Sequence, residues 1–446
     1  MQQTTTEEGL VRGIRRWDLV FLVLNAIIGA GIFGLPARVY GLIGTYSLFA
    51  YGACAVVVVL IIVCFAEVAS RFRTTGGPYL YAYQAFGPAV GFEMGWLLWI
   101  ARLTAFAALT NLWLDYLSFF APGMTQGPMR SVAISLIVLA YTGLNIRGVR
   151  NSTHVNDVLT IAKLVPLTLF VVVGLFFLDG SRLAIGEAPA PSAFSSAVLL
   201  LVFAFSGFEM PVIPAGESQE PQRHVPFALL TGIAIIAALY IMIQVVSIGT
   251  LPNLAESARP LADAAGGFFG TPGAAFISLG ALISISGTLN VIVMVSPRLP
   301  FAMAERGQLP KVFGALHPRF HTPWVSILVS AVVMLVFTLQ GSFISSLTIS
   351  TMIRLITYAA TCAALPVLRR RSFGDKGNFH APGGTLTAIL AIACCVWLLL
   401  PPTSNWRDVR LTLIAAALGL VLYFVFRGRA GASPREATPG TAVEAS

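Results

Sequence analysis

The sequence contains very little charge. Only 11% of its 446 residues are Asp, Glu, Lys or Arg, whereas 57% are hydrophobic. About a quarter of the residues of an ordinary soluble domain are charged, and the mean hydropathy of this chain, +0.82, is far above the soluble range. The composition therefore excludes a soluble globular protein and indicates an integral membrane protein.

Cysteine and histidine are also scarce, with five of each. The cysteines fall inside apolar runs, where they read as small packing residues, and the histidines lie in or beside predicted loops without zinc-like spacing. An intramembrane enzyme needs clustered ligands or bases at depth. We therefore expect no catalytic residues, no metal and no cofactor.

Apolar runs fill almost the whole chain. A helix needs about 20 residues to cross a bilayer core of roughly 30 Å, and runs of this length leave no room for a sizeable soluble domain. We predict an all-α integral membrane protein with twelve transmembrane helices. The approximate bounds of the predicted spans are 17–43, 46–70, 86–118, 129–148, 155–178, 193–216, 225–251, 271–299, 323–340, 343–367, 384–401 and 408–426.

The basic residues indicate the topology. Lys and Arg outnumber Asp and Glu by 28 to 19. If the N-terminus is cytoplasmic, most of these basic residues fall in cytoplasmic segments, which is the bias described by the positive-inside rule. We therefore predict that both termini are cytoplasmic. No basic run is interleaved with exposed aromatic residues, so we expect no nucleic acid partner. We expect a multi-pass protein of the plasma membrane, in contact with lipid. Residues 1–16 and 427–446 should be cytoplasmic tails, the second of them disordered.

The first span contains a stretch that should interrupt its helix. Gly29, Gly31 and Gly34 occupy three of six positions, and glycine costs about 1 kcal/mol relative to alanine inside a helix. Backbone groups freed from the helix cannot face lipid without hydrogen-bond partners, so they imply a cavity lined by protein or water. We predict that residues 29–31 form the floor of a binding site.

The sixth span contains a second interruption, at Ser206-Gly207-Phe208-Glu209, which Pro211 follows. Breaks at corresponding positions of two halves are the best sequence indication of an inverted-repeat transporter with its site at the midplane. We predict a first five-helix repeat over 17–178, an inverted second repeat over 193–367, and two peripheral helices over 384–426. The alternative is that these glycines only allow close helix packing.

An interrupted helix can bind a dipolar solute. Its new ends expose N–H groups and carbonyls that carry roughly half a positive and half a negative charge. The N–H groups of residues 30–32 can hold a carboxylate, and the carbonyls near Ile27, Phe203 and Phe205 can hold an ammonium group. An α-amino acid carries both groups and is the predicted substrate. The predicted substrate-binding residues are Ile27, Gly29, Ala30, Gly31, Ile32, Phe203, Phe205, Ser206 and Gly207.

Four of the ionisable side chains within predicted spans are candidates for a role at depth, where an ionised group costs several kcal/mol unless it is paired or hydrated. Lys163 should face the interior as a fixed cation or a proton carrier, or it snorkels to the membrane surface. Glu209 is either a gate or proton site, or it bonds the unwound backbone. Arg102 and Arg354 read as structural residues that hold loops or unwound carbonyls.

The order and spacing of several motifs resemble the amino acid-polyamine-organocation superfamily of transporters. The resemblance extends from about Trp17 to Arg371. The motifs that carry it are Ile28-Gly29-Ala30-Gly31-Ile32-Phe33 with Pro36, Glu67 with Gly76-Gly77-Pro78-Tyr79, Phe205-Ser206-Gly207-Phe208-Glu209 with Glu217 and Pro221, Arg298 with 303–310, and Arg354 with Leu365-Pro366.

The resemblance implies the leucine-transporter fold, in which two inverted five-helix repeats are followed by two extra helices, and helices one and six unwind at the substrate. It implies that the amides of Ala30 and Gly31 take the substrate carboxylate, and that the carbonyls of Ile27 and Phe205 take the amine. In one branch of the superfamily, a lysine of the fifth helix fills the sodium position, next to helix one and serines of helix eight. Lys163 matches that lysine, which indicates transport without sodium.

The Gly-Phe-Glu of the sixth span is similar to that of arginine/agmatine antiporters, in which the counterpart of Glu209 is tied to acid sensitivity. Phe203 stands where those antiporters have a gating tryptophan. We therefore predict a sodium-independent secondary active amino acid transporter that works by alternating access, as an exchanger or with protons. The alternative is a polyamine or cationic amino acid antiporter. The predicted coupling and gating residues are Lys163, Glu209, Phe208, Ser284 and Ser286.

Overall fold

The computed structural model describes residues 15–72, 77–147, 153–210, 220–371, 379–400 and 405–427. The predicted tails before residue 15 and after residue 427, and the last part of the sixth span, 211–216, lie outside the described residues. The α-helices have the following bounds: α1 Arg16–Ile27, α2 Gly31–Ile43, α3 Ser47–Ser70, α4 Gly77–Phe86, α5 Pro88–Leu117, α6 Gly127–Arg147, α7 Thr153–Gly174, α8 Pro191–Phe205, α9 Pro221–Thr250, α10 Pro260–Val295, α11 Arg298–Glu305, α12 Trp324–Gln340, α13 Phe343–Arg370, α14 Thr385–Leu399 and α15 Trp406–Arg427.

The prediction of an all-α protein is confirmed over the described ranges, which contain helices and turns but no strand. Seven helical segments there are long and apolar enough to cross a membrane, and four shorter apolar helices accompany them. The number of twelve spans, the inverted repeat and the division into 17–178, 193–367 and 384–426 stay predictions. Helix length alone does not give the number of spans, because an interrupted span consists of two helices that are each too short to cross a membrane.

The first predicted span is divided into α1 and α2. Ile28, Gly29 and Ala30 form a bend between the two helices, and Ile28 and Ala30 are almost completely buried. A Cβ atom at Gly31, the first residue of α2, would lie only 2.7 Å from the Cα of Ala204 in α8. The predicted break is therefore present, and the contact with α8 requires glycine at its edge.

The sixth predicted span is interrupted as well. Helix α8 ends at Phe205, and residues 206–209 form turns. Gly207 has a φ of +114°, a backbone conformation that residues with a Cβ rarely adopt. A glycine at this position is thus what allows the helix to end where it does.

The eighth predicted span also starts close to where it was expected. Helix α10 begins at residue 260 and is kinked at Gly270, which has a φ of +66°. This non-helical residue divides a short leading segment from the long helix that follows it. The sequence-based boundary at residue 271 falls at this kink.

Helix α5 is central to the packing, and most of its side chains are buried. Trp99 donates from its indole nitrogen to the Ser330 hydroxyl of α12 at 3.1 Å. Trp96 donates to the carbonyl oxygen of Ala415 in α15 at 2.8 Å. These bonds tie both α12 and α15 to α5.

A buried carboxylate ties three segments together at one end of the bundle. Glu67, near the end of α3, accepts hydrogen bonds from Arg71 at 2.8 Å, from Arg369 Nε at 2.7 Å and from the backbone N–H of Ala381 at 2.8 Å. Arg369 belongs to α13, and Ala381 precedes α14. The carboxylate is fully buried, so it fixes the relative positions of these segments without contact with solvent.

Candidate functional site

The two helix breaks meet. A Cβ atom placed on Gly207 would overlap the carbonyl oxygen of Ala26, which lies near the end of α1. The C-terminal ends of α1 and α8, which are far apart in the sequence, therefore lie next to each other. This arrangement concentrates exposed main-chain dipoles in the protein interior.

The start of α2 offers N–H groups. Its N-cap residue, Ala30, makes no side-chain capping hydrogen bond, and the first N–H groups of a helix have no intrahelical carbonyl partner. The N–H of Phe33, the third residue of α2, donates to the carbonyl oxygen of Ala30 at 3.0 Å. The predicted carboxylate-binding residues 30–32 thus stand at an uncapped helix N-terminus.

The predicted ammonium-binding carbonyls are partly occupied by protein donors. The hydroxyl of Tyr240, in α9, lies 3.3 Å from the carbonyl oxygens of both Ile27 and Ala204 and can donate its one hydrogen to either. The Ser206 hydroxyl donates to the carbonyl oxygen of Phe203 at 2.8 Å. The N–H of Ser206 bonds the same carbonyl oxygen of Phe203 at 3.2 Å, so both lone pairs of that oxygen are in use. The carbonyl oxygen of Ile27 keeps a lone pair that can accept a further hydrogen bond. Sequence reasoning missed Tyr240, since nothing in α9 marks it locally.

Aromatic rings enclose the second break. The ring of Phe205 packs 5.2 Å from that of Tyr240. The ring of Phe208 packs 5.3 Å from Phe65 and 5.0 Å from Tyr358, and its side chain is fully buried. Phe208, a predicted gating residue, therefore connects the break to α3 and α13.

Glu209 belongs to a buried ion pair. One carboxylate oxygen accepts a hydrogen bond from Arg354 of α13. The other oxygen accepts from the N–H of Gly207 and from the hydroxyl of Tyr358, each at 3.0 Å. The bond to Gly207 is the contact with unwound backbone that one sequence interpretation expected. Arg354 is bonded to a side-chain carboxylate rather than to loops or carbonyls, because a buried guanidinium needs an anion.

Lys163 faces the interior rather than snorkelling. Its ammonium group donates to the carbonyl oxygen of Asn25 in α1 at 3.3 Å and lies 3.5 Å from the hydroxyl of Thr288 in α10. The residue is 4% exposed. The lysine therefore joins α1, α7 and α10 beside the first break.

The hydroxyl of α10 that lies beside Lys163 is that of Thr288. Thr288 donates to the carbonyl oxygen of Ser284 one turn earlier, at 3.2 Å. Ser286 faces elsewhere, with its hydroxyl bonded by Trp113 at 3.0 Å and its carbonyl bonded by Tyr141 at 3.1 Å. The four-residue spacing from Ser284 to Thr288 could have predicted this position of Thr288, because residues four apart share a helix face.

Arg102 lies in the middle of α5 and is only 5% exposed. Its guanidinium contacts the thioether sulfur of Met210 at 4.0 Å. Met210 directly follows Glu209, so this second buried arginine also adjoins the second break.

The sequence of this chain is similar to those of known transport proteins. A family model described as amino acid permease matches residues 14–425. The serine/threonine exchanger of Bacillus subtilis (strain 168) is 30% identical over 436 residues, which cover 95% of this chain and 99% of that protein. The methylthioribose transporter of the same organism is 26% identical over 443 residues, with 94% of each chain covered. The arginine/agmatine antiporter of Chlamydia pneumoniae is 26% identical over 439 residues, which cover 91% of this chain and 88% of that protein.

Proposed function

Since this chain belongs to the amino acid permease family, we propose that it is a sodium-independent secondary active amino acid transporter that works by alternating access. Its relatives are transporters and not enzymes. The observation that carries the proposal is the meeting of two interrupted helices at Ala26 and Gly207. Main-chain dipoles at such a point can recognise a solute with a charge of each sign.

The amino acid head group is the part of the substrate that these main-chain groups fit. The uncapped N-terminus of α2 suits the α-carboxylate, and the carbonyl oxygens at the ends of α1 and α8 suit the α-ammonium group. The relatives are named for serine and threonine, methylthioribose, and arginine and agmatine, so substrates of very different chemistry occur among them. We assign substrate binding to Ile27, Gly29, Ala30, Gly31, Ile32, Phe203, Phe205, Ser206 and Gly207.

The position of Lys163 supports the proposed independence from sodium. Its ammonium group lies between α1 and α10, bonded to the carbonyl oxygen of Asn25 and close to the hydroxyl of Thr288. Two unit charges of the same sign 4 Å apart repel each other by about 4 kcal/mol at an effective dielectric constant of 20. A sodium ion would have to bind against this repulsion.

Transport is either an exchange of amino acids or coupled to protons. If protons take part, we favour Lys163 over Glu209 as their carrier. Both oxygens of Glu209 are bonded by donors, including a guanidinium, whereas Lys163 contacts only neutral oxygens among the described residues. Phe208 and Ser284 complete the proposed coupling and gating group, to which we add Thr288 because it lies beside Lys163. Ser286 belongs to this group only through Trp113 and Tyr141, which bond it away from Lys163.

The cationic-substrate alternative depends on Glu209 as a receptor for a positively charged side chain. That carboxylate is already paired with Arg354, so the site as it stands gives this alternative no support. Glu209→Gln tests it directly. Competition by lysine, arginine and agmatine that is unchanged in this variant would reject the alternative.

The proposed setting is the plasma membrane, with lipid around twelve spans and both termini in the cytoplasm. The helices that support it are apolar on faces that the protein does not cover. In α14, for example, Leu386 and Ile389 are 60% and 56% exposed. Accessibility of single cysteines placed in the two tails, measured on intact and on permeabilised cells, tests the orientation.

The decisive experiment is uptake by purified protein in proteoliposomes. Each of the twenty amino acids is offered as a labelled tracer, with and without internal amino acids, with and without a pH gradient, and with sodium or choline as the salt. We expect uptake of at least one amino acid that is equal in sodium and choline. Absence of uptake of every amino acid under all conditions would reject the function, and a strict requirement for sodium would reject the role of Lys163.

A further inference from the structure

We propose that Arg102 binds the side-chain carboxylate of the substrate, so that this transporter selects acidic amino acids. The inference rests on the proposed function and names the substrate class within it. It comes from the charges around the second break, where two buried guanidinium groups, those of Arg102 and Arg354, lie near one carboxylate among the described residues, that of Glu209.

The two arginines lie on two helices that pack against each other, α5 and α13. The hydroxyl of Ser350, one turn before Arg354 in α13, donates to the carbonyl oxygen of Ala101 in α5 at 2.7 Å. Ala101 immediately precedes Arg102, and the guanidinium of Arg102 reaches Met210 at the end of the second break. Arg102 therefore lies near the pair of Glu209 and Arg354, because Met210 directly follows Glu209 in the chain.

The carboxylate of Glu209 is not available to Arg102. One of its oxygens is bonded by Arg354, and the other by Gly207 and Tyr358. The contact that the described residues give Arg102 is a thioether sulfur, which is a weak acceptor. Unlike lysine, arginine cannot lose its proton and so avoid the cost of a buried charge. A buried guanidinium of this kind calls for an anion.

Other described carboxylates near α5 do not supply that anion. Glu93 precedes Arg102 by nine residues, which is about 14 Å along the helix and half a turn around it. It faces α15, where a Cβ atom on Gly419 would lie 2.5 Å from its carboxylate. Asp115 lies thirteen residues beyond Arg102, about 20 Å along the helix, and pairs with Arg130 at 3.8 Å.

A substrate carboxylate fits this position in chemistry and in place. The planar guanidinium binds a carboxylate through two parallel hydrogen bonds, which a spherical inorganic anion cannot reproduce. The main-chain ends at the breaks bind the amino acid head group, and Arg102 lies beside Met210, three residues from Gly207. L-Aspartate and L-glutamate carry their second carboxylate on a short side chain.

The experiment compares acidic amino acids with their neutral isosteres. Uptake of labelled L-glutamate, L-glutamine, L-aspartate and L-asparagine is measured in proteoliposomes at pH 7 in gluconate salts, together with the remaining amino acids. We expect wild-type protein to prefer each acid over its amide by at least tenfold in kcat/KM. Arg102→Gln should lower this ratio at least fivefold, whereas the control Arg182→Gln, in a surface turn, should leave it unchanged.

The possible outcomes are distinct. Equal or better transport of the amides by wild-type protein overturns the inference but leaves the proposed function standing, and no uptake of any amino acid overturns the proposed function itself. An unchanged ratio in Arg102→Gln rejects the assignment to Arg102. Inhibition by chloride in place of gluconate, without a preference for acids, shows an inorganic anion site and overturns the inference. If Arg102→Gln does not fold, the wild-type ratio decides, and Arg102→Lys should keep part of the preference.

Discussion

Gly207 lies against the carbonyl oxygen of Ala26 so closely that no side chain fits between them. This contact joins the breaks of two helices that are separated by most of the first half of the sequence. The φ of +114° at Gly207 is what turns the chain there. The candidate site depends on this junction, and each prediction below changes one part of its surroundings.

Gly207→Ala should abolish transport. The Cβ atom would overlap the carbonyl of Ala26, and a backbone conformation of this kind costs a residue with a Cβ about 1–3 kcal/mol. Gly143→Ala is the matched control, because the space around Gly143 in α6 is open. Uptake and the Tm of the purified proteins are compared. Normal uptake by Gly207→Ala would contradict the assignment of the site.

Lys163→Ala should abolish transport or remove its pH dependence without unfolding the protein. The substitution deletes the only ammonium group beside Asn25 and Thr288 among the described residues. The measurement is initial uptake between pH 5 and pH 9, with Lys311→Ala as the control at an exposed position. A wild-type rate and pH profile in Lys163→Ala would remove this residue from the mechanism.

The ion pair between Glu209 and Arg354 should show strong coupling. Removing one partner of a buried pair leaves an uncompensated charge and costs about 3–5 kcal/mol. We therefore expect Glu209→Gln and Arg354→Met each to lower the free energy of unfolding by this order, and the double variant to lower it by less than the sum. Thermal unfolding of the four proteins in detergent measures the cycle. Additive losses would mean that the pair does not act as a unit.

Tyr240→Phe should weaken substrate binding more than it weakens the fold. The hydroxyl lies 3.3 Å from the carbonyl oxygens of Ile27 and Ala204, next to the breaks, and a hydrogen bond of this kind contributes about 1 kcal/mol net. We expect a higher KM with only a small change in Tm. Tyr141→Phe, which removes a bond to Ser286 at 3.1 Å, serves as the comparison. A KM equal to that of wild type would place Tyr240 outside the site.

The positions of glycines and of charged residues within the spans made the two helix breaks and the orientation of Lys163 predictable. The breaks after Ile27 and after Phe205 were expected because three glycines in six residues, and a Ser-Gly pair at mid-span, are local signals. Lys163 was expected to point inward because an isolated cation cannot face lipid. These inferences needed no knowledge of which helix packs against which.

The partners of these residues were not predictable in the same way. The sequence offered no reason to join Arg354 to Glu209, to choose Thr288 over Ser286 beside Lys163, or to bring Tyr240 to the ends of two helices. Each of these contacts depends on the rotation and depth of one helix relative to another.

By itself, then, the sequence determined the membrane class, the helical content and the two positions at which helices are interrupted, because hydropathy and backbone preference act over a few residues. Only the tertiary structure decided that the interruptions meet and that Arg102 remains beside a carboxylate already taken by Arg354. The reason is that ion pairing within the protein is settled by packing between helices distant in the sequence, which no local pattern encodes.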